Sequence, residues 1–308
     1  MSDSRLVQID AIRPQTDGLT WQQRLSSLRS DLGRYTAVVV AYSGGVDSSL
    51  VLRVAHEALG GRARGVIGAS DSYAKRELEL AREQAASFGA EIEIVTTGEL
   101  SDPNFRSNPT TRCYHCKTEL YRELTLVAGR IGAEAILDGT IADDLDDWRP
   151  GRMAAAEKGV RSPLAELGFT KEDVRAAAAH YGLRSHDKPA SPCLASRIPY
   201  GTEITAEALS QVERGEELLH SLGFPVVRVR HFGDTARIEV PLAEIARLLG
   251  PDVREQVTEG LKSLGFRSIT VDLEGFRSGN LNRLPAGRPA ATIVSLQKAG
   301  TADPGARV

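Results

Sequence analysis

The sequence predicts an α/β protein, a doubly wound parallel sheet with a smaller C-terminal α+β domain. Three observations predict it. Val38-Val39-Val40-Ala41 is an unbroken apolar run, as a parallel strand buried on both faces requires. Short strand-like runs then alternate with helical patterns up to Leu137, which argues for right-handed crossovers between parallel strands. After residue 201 the order becomes helix, two close strands, helices and a last strand. The expected organisation is therefore a first domain over 1–200, a second over 201–276, and a tail over 277–308.

The elements follow in order. Trp21 to Leu32 spaces Leu25, Leu28 and Leu32 at a helical period and leads into the Val38 strand. A turn of small residues follows, and the chain from Ser48 takes up helical spacing. Arg64 to Ala69 reads as a second strand, Tyr73 to Phe88 as an amphipathic helix with Leu78, Leu80, Ala81 and Ala85 inward, and Glu91 to Val95 as a third strand. Thr96 to Arg112 is a polar loop with two prolines, long enough to suggest a purpose. A helix is expected from Thr118 to Ile131, a short strand from Ala135 to Leu137, a short helix after Arg149-Pro150, and another from Lys171 to Tyr181.

Prolines at 189, 192 and 199 then exclude regular structure through most of His186 to Gly201. In the second domain, Thr205 to Leu222 is an amphipathic helix with Leu209, Val212, Leu218 and Leu219 inward. Pro225 to Arg230 and Ala236 to Val240 read as a hairpin, Pro241 to Leu249 and Val253 to Leu264 as helices, and Ser268 to Leu273 as a last strand. Gly279 to Val308, rich in Arg, Pro, Ala and Gly, reads as disordered.

Composition narrows the function classes. With 38 Lys and Arg against 41 Asp and Glu the net charge is −3, so no global basic field argues for nucleic acid or an anionic membrane. No apolar run approaches membrane-spanning length, and the polar start Met1-Ser2-Asp3-Ser4-Arg5 lacks a signal peptide's apolar core, so a cytoplasmic protein is expected. Three cysteines, Cys113, Cys116 and Cys193, make a disulfide framework an unsuitable reading and raise metal or sulfur chemistry instead.

The turn after the first strand, Ser43-Gly44-Gly45-Val46-Asp47-Ser48-Ser49, is the chemical centre of the sequence. Gly44 and Gly45 let backbone approach a ligand. Unpaired N–H groups and the positive end of the helix dipole form an anion site, to which Ser43, Ser48 and Ser49 can add hydroxyls. A phosphate suits it. The bland alternative is a glycine turn with a serine cap and an aspartate in the first helical turn. Ala69, Ser70 and Asp71 end the neighbouring strand on the same edge, where adenosine would lie. Asp143, Asp144, Asp146 and Asp147 follow the Ala135 strand and can hold magnesium or a cationic group, or form a solvated acidic turn.

S-G-G-V-D-S lacks the lysine of the Walker loop and the third glycine of the dinucleotide fingerprint. It resembles the PP-loop of the N-type ATP pyrophosphatases, which implies that the loop grips the β,γ-pyrophosphate of ATP and that Asp47 ligates Mg2+. Further stretches make the resemblance more specific: D-G-T-I-A-D-D-L-D-D-W-R-P-G-R from Asp138, Arg161 to Leu164, K-P-A-S-P-C-L-A-S-R-I-P-Y-G from Lys188, and R-V-R-H-F-G-D-T-A-R-I-E-V from Arg228. Together, from about Arg24 to Phe276, they resemble the LarE family of ATP-dependent sulfur insertases. The resemblance implies adenylation of a carboxylate of a pyridinium biscarboxylic acid mononucleotide, loss of pyrophosphate, and sulfur insertion to a thiocarboxylate for the nickel-pincer cofactor of lactate racemase. It also implies a homo-oligomer, a hexamer in the family. By the family motif Cys193 is the sulfur-site cysteine and Glu216 an active-site carboxylate. Arg228 and Arg230 bind phosphate or substrate, and Arg197 adds cationic reach beside Lys188.

One departure matters. The best-known form of the family keeps only the cysteine matching Cys193 and surrenders its sulfur, whereas this chain adds Cys113 and Cys116. Three cysteines can hold a [4Fe-4S] cluster by three irons and leave the fourth open, as in cluster-containing relatives where that iron is thought to hold a hydrosulfide. The alternatives are structural zinc completed by His115 or His186, and unligated or sacrificial cysteines. Other PP-loop chemistries, amidation of an adenylated carboxylate or thiolation of tRNA, compete at the level of function, as does a nucleotide sensor without catalysis.

Overall fold

The computed structural model describes residues 18–145 and 149–277. Asp146, Asp147 and the tail from residue 278 lie outside the described residues. Thr20 starts the first helix, α1 (Trp21–Leu32), with a capping box: its hydroxyl accepts from the Gln23 N–H, and the Gln23 side chain returns to the Thr20 N–H. Leu25, Leu28 and Leu32 bury their side chains against α2 (Val46–Leu59). Strand β1 (Val38–Ala41) is buried along its whole length, as its four apolar residues require.

The first sheet is parallel, in the order β3-β2-β1-β4, with β2 at Ala63–Ala69, β3 at Ile92–Thr96 and β4 at Ala135–Leu137. Val38 lies opposite both Ala63 and Ala135, so β1 is central and every strand ends on the same edge. Helix α3 (Lys75–Ser87) follows β2; it buries Ala81 and Ala85, but Leu80 is exposed rather than inward.

The long polar loop holds more order than its composition suggests, including a short helix α4 (Pro103–Arg106). Helix α5 starts at Arg112 and runs to Ile131, so Cys113 and Cys116 sit in its first turns rather than in a preceding loop. Tertiary contacts explain the earlier start. Asn108 adopts a left-handed conformation, φ +53°, while its fully buried side chain donates to the Ile198 and Pro199 carbonyls and accepts from Arg112. Three further helices close the first part: α6 (Pro150–Glu157), α7 (Pro163–Glu166) and α8 (Lys171–His180).

Helix α9 (Ala206–Ser221), capped by the Thr205 hydroxyl, covers the second sheet, of order β5-β6-β7. Strands β5 (Arg228–Phe232) and β6 (Thr235–Glu239) form an antiparallel hairpin about Gly233 and Asp234. The strand begins three residues later than its apolar pattern suggests. Helices α10 (Ile245–Leu248) and α11 (Pro251–Ser263) carry the chain over to β7 (Ser268–Val271), which pairs in parallel with β6. Val229, Ile238, Leu219, Leu261 and Phe266 form a core separate from that of the first sheet. No helix among the described residues is long and apolar enough to cross a membrane.

Candidate active site

The carboxyl ends of the parallel strands gather the candidate residues. After β1, the Tyr42 N–H continues the ladder onto Val66 O at 2.9 Å, and the chain then breaks sharply. Gly44 has φ +67°, and a Cβ there would stand 2.6 Å from that of Ala81, so glycine is required twice over. The loop is drawn into a cradle by its own hydroxyls: Ser43 N–H donates to Ser48 Oγ at 3.1 Å, and Gly45 N–H reaches Ser43 Oγ at 3.4 Å. No side chain caps α2, whose N-cap is Gly45, which leaves its first N–H groups for a ligand.

Just past β4, the D-G-T stretch supplies a residue to which the sequence alone assigns no role. Gly139 packs flat on the start of α2, where a Cβ would lie 2.6 Å from Ser48 N and 3.0 Å from Asp47 C. Asp138 is saturated by the Thr140 N–H and hydroxyl and by Ser162 Oγ, and so positions this turn. Ser49 departs from the expected role: it is fully buried and bonded to Gln84, away from the open side of the loop. Ala69 and Ser70 end β2 beside the loop; Ser70 Oγ donates to Glu99, which also accepts from Ser72 Oγ at 2.7 Å.

Asp47 is held by Lys171, whose Nζ lies 2.8 and 2.7 Å from its two oxygens. Burial raises the Asp47 pKa, Lys171 opposes that rise, and Asp144 adds to it. The donor set, a carboxylate beside open N–H groups, fits a magnesium–phosphate unit. Asp143 accepts from the Lys171 N–H at 2.8 Å, and Asp144 pairs with Arg149 at 2.8 Å.

The three cysteines converge. Arg112, buried beside Cys113, donates to Asn108 Oδ1 at 2.6 Å and to Ala195 O at 2.8 Å, tying the start of α5 to the Cys193 segment. The Leu194 N–H donates to Ser72 O at 2.8 Å and ties that segment to the end of β2. Cys116 and Cys193 pack around the same apolar cluster as Phe105 and Leu209. Burial pushes the Cys116 thiol far above its ordinary value, with Glu99 and then Cys193 adding to the rise. Cys113 is exposed at the surface, yet desolvation by the surrounding protein pushes its thiol up as well, and Cys193 is the next cause.

Lys117 completes this wall. Tyr121 first, then Cys116, Asp138 and Cys113, raise its pKa against the effect of burial, so it stands between the thiols and the β4 turn. Among the described residues no three His, Cys, Asp or Glu side chains form a group that could hold one metal ion. The histidines considered for zinc are engaged elsewhere, His115 with Asp102 at 3.5 Å and His186 with Leu183 O at 2.9 Å. Three thiolate-forming residues are the ligand chemistry of an iron–sulfur cluster held by three irons, whereas a closed tetrahedral zinc site takes four protein ligands.

The motif arginines meet the Cys193 segment from the second sheet. Val229 points into the small core, and the flanking arginines point the other way. Arg228 donates to Ala190 O at 2.7 Å and lies 5.1 Å from the Phe276 ring centroid; burial, with Arg197 next, lowers its pKa to about 10. It lines a cavity of about 330 Å³ with Arg76, Lys188, Arg197, Glu216 and His220.

Two of the expected ligand residues are committed to protein partners. Arg230 is bound in parallel to Glu239 at 3.0 and 2.8 Å and donates to Ser196 O at 2.8 Å. Arg197 forms the same fork with Glu216, both bonds at 2.8 Å, and Glu216 also accepts from the Val229 N–H at 3.1 Å. These buried pairs brace Cys193 against the second sheet.

A parallel sheet with a glycine-serine loop at the start of the helix after its central strand defines the PP-loop ATP pyrophosphatase class, and comparison with known proteins agrees. Argininosuccinate synthase of a Synechococcus species is 28% identical over 280 residues, 83% of this chain and 70% of that protein. No family model matches the chain. An uncharacterized protein of a Synechocystis species is 44% identical over 263 residues, 85% of this chain and 98% of its own. The pyridinium-3,5-bisthiocarboxylic acid mononucleotide synthase of Lactiplantibacillus plantarum is 42% identical over 264 residues, 85% of this chain and 94% of its own. The chain belongs to the LarE family of that synthase, and it is an enzyme.

Proposed function

We propose that the enzyme uses ATP to adenylate a carboxylate of a pyridinium-3,5-biscarboxylic acid mononucleotide, releases pyrophosphate, and replaces the activated oxygen with sulfur, giving a thiocarboxylate for the nickel-pincer cofactor of lactate racemase. The observation that carries this reading is one shared edge: the Leu194 N–H bond to Ser72 O brings Cys193 to the strand ends that also hold the Ser43–Ser48 loop. A carboxylate is a poor electrophile, whereas an acyl adenylate expels AMP readily, so activation and sulfur delivery belong within reach of one bound substrate.

The residues divide the work. The open N–H groups at the start of α2, with Ser43 and Ser48, orient the β,γ-pyrophosphate. Asp47 would hold Mg2+, which supplies charge neutralisation at the phosphates. Ala69 and Ser70 border the adenosine, and Arg228 meets an anionic group of the mononucleotide. Arg197, Glu216 and Arg230 fix the Cys193 backbone. Cys113, Cys116 and Cys193 would hold a [4Fe-4S] cluster by three irons, which would supply transferable sulfide. Lys117 keeps a positive charge beside the thiols.

The test is to reconstitute the protein with iron and sulfide without oxygen, supply ATP, sulfide and the mononucleotide, and weigh both the product and the intact chain. Multiple turnovers with an unaltered chain are expected. A single turnover in iron-free protein, with the elements of H₂S lost from Cys193, would instead make the cysteine itself the donor. Absence of pyrophosphate release would overturn the adenylation.

A further inference from the structure

We propose that Lys171 exchanges partners during the reaction, neutralising Asp47 while the loop is empty and moving onto the pyrophosphate once Mg2+ takes Asp47. This rests on the adenylating function proposed above. Both Asp47 oxygens lie within 2.8 Å of Nζ, although the two residues are 124 positions apart and on different helices. The pairing is therefore a product of the fold rather than of local sequence.

Asp47 favours a cation beside it. Its side chain is 26% exposed, so an ion in contact with both oxygens stabilises the carboxylate more than it would at an open surface. In the empty site Lys171 does this. A bound Mg2+ would do it better, with twice the charge and direct ligation, and would repel the ammonium at the same time. The displaced Nζ has a short path to take. Asp47 lies in the first turn of α2, beside the N–H groups that face the phosphates, so the new anion arrives next to the old partner.

The base of the lysine is built for such a swing. Its N–H donates to Asp143 at 2.8 Å and the preceding Thr170 caps α8, so the backbone is fixed. The side chain is 41% exposed, which leaves room for Nζ to depart from Asp47. In the adenylation, a substrate carboxylate oxygen bonds to the α-phosphorus while the bond from that phosphorus to the bridging oxygen breaks and its electron pair leaves on pyrophosphate. Lys171 in its second position neutralises that charge without transferring a proton.

The experiment measures binding of two probes to the full chain. Mn2+ without nucleotide, followed by electron paramagnetic resonance, should bind Lys171→Met about tenfold more tightly than wild type, because the competing ammonium is gone. Inorganic pyrophosphate with Mg2+, followed by calorimetry, should bind Lys171→Met about tenfold more weakly, and Lys171→Arg should recover most of that loss. Lys171→Gln serves the same purpose should the Met variant not fold. Unchanged Mn2+ affinity, or unchanged pyrophosphate affinity, overturns the exchange. Wild-type pyrophosphate release from ATP and the mononucleotide judges the parent function separately: its absence alongside both binding shifts would remove that function and leave the exchange standing.

Discussion

Gly139→Ala tests whether the β4 turn sets the geometry of the phosphate loop. The added methyl would stand 2.6 Å from Ser48 N and 3.0 Å from Asp47 C and Ser48 Cα, all of them backbone that no side-chain rotation can clear. Ordinary contact begins near 3.4 Å, so the start of α2 and the β4 turn must separate by about 0.8 Å. Overpacking of this kind costs about 1–3 kcal/mol. The functional loss should be larger than that cost implies, since a displacement of about 1 Å at reacting groups can lower rate about a hundredfold. Gly98→Ala is the control, because its φ is −106° and a Cβ there meets nothing within 4 Å. Urea denaturation and ATP-dependent pyrophosphate release should show Gly139→Ala destabilised and at least about tenfold slower, with Gly98→Ala close to wild type. A Gly139→Ala protein with wild-type stability and rate would refute the reasoning.

The two motif arginines should part company. Arg230→Ala removes two charge-assisted bonds from the fully buried Glu239, leaving Arg237 at 3.4 Å, and should cost about 2 kcal/mol in urea denaturation, while Arg228→Ala, which takes no bidentate partner from a carboxylate, should cost little stability and weaken substrate binding. Equal stability loss in both variants would contradict this. Asp47→Asn should fold and release no pyrophosphate above background, as measured by coupled phosphate assay. The same variant carries a pH signature. Burial raises the Asp47 pKa in the folded state, so folding is favoured by its protonation and that contribution is lost as pH rises from the unfolded value through the folded one. Wild-type stability should therefore fall relative to Asp47→Asn as pH rises through the carboxylate range, and a gap that widens in the other direction would show that Lys171 outweighs burial. Alanine at Cys113, Cys116 or Cys193 should each lower the iron bound after anaerobic reconstitution, read by absorbance and iron analysis; loss at Cys193 alone would remove the other two from the ligand set.

Much of the fold was legible because the signal was local. The Val38 run could be little but a buried strand, and β1 is central with a neighbour on each side. Leu25, Leu28 and Leu32 share one face because 3.6 residues make a turn, and they are buried together. Where the reading slipped, the cause lay at a distance. The start of α5 at Arg112 depends on Asn108 and on carbonyls some 90 residues later, at Ile198 and Pro199. Leu80 fits the apolar stripe of α3 by spacing, yet it lies on the side where the helix borders a charged cavity.

The candidate site shows the same division, with a chemical consequence. Gly44, Ser43 and Asp47 could be named from sequence because a phosphate loop is a contiguous device whose parts must be neighbours. Lys171 could not, since nothing near residue 171 marks a lysine that will meet an aspartate from another helix. The arginines lie between these cases. A guanidinium in a motif offers the same planar fork to a phosphate or to a carboxylate, and sequence alone does not say which it will meet. Here Glu216 and Glu239 take the forks of Arg197 and Arg230, while Arg228 donates to carbonyls and lies against a ring. Because Arg230 also holds Ser196 O and Arg197 holds Cys193 O at 3.1 Å, both spend their charge on the backbone at and beside Cys193. Substituting either one should therefore move Cys193 before it alters any phosphate contact, and under the proposed function a loss of activity there would report misplacement of Cys193 rather than loss of substrate affinity.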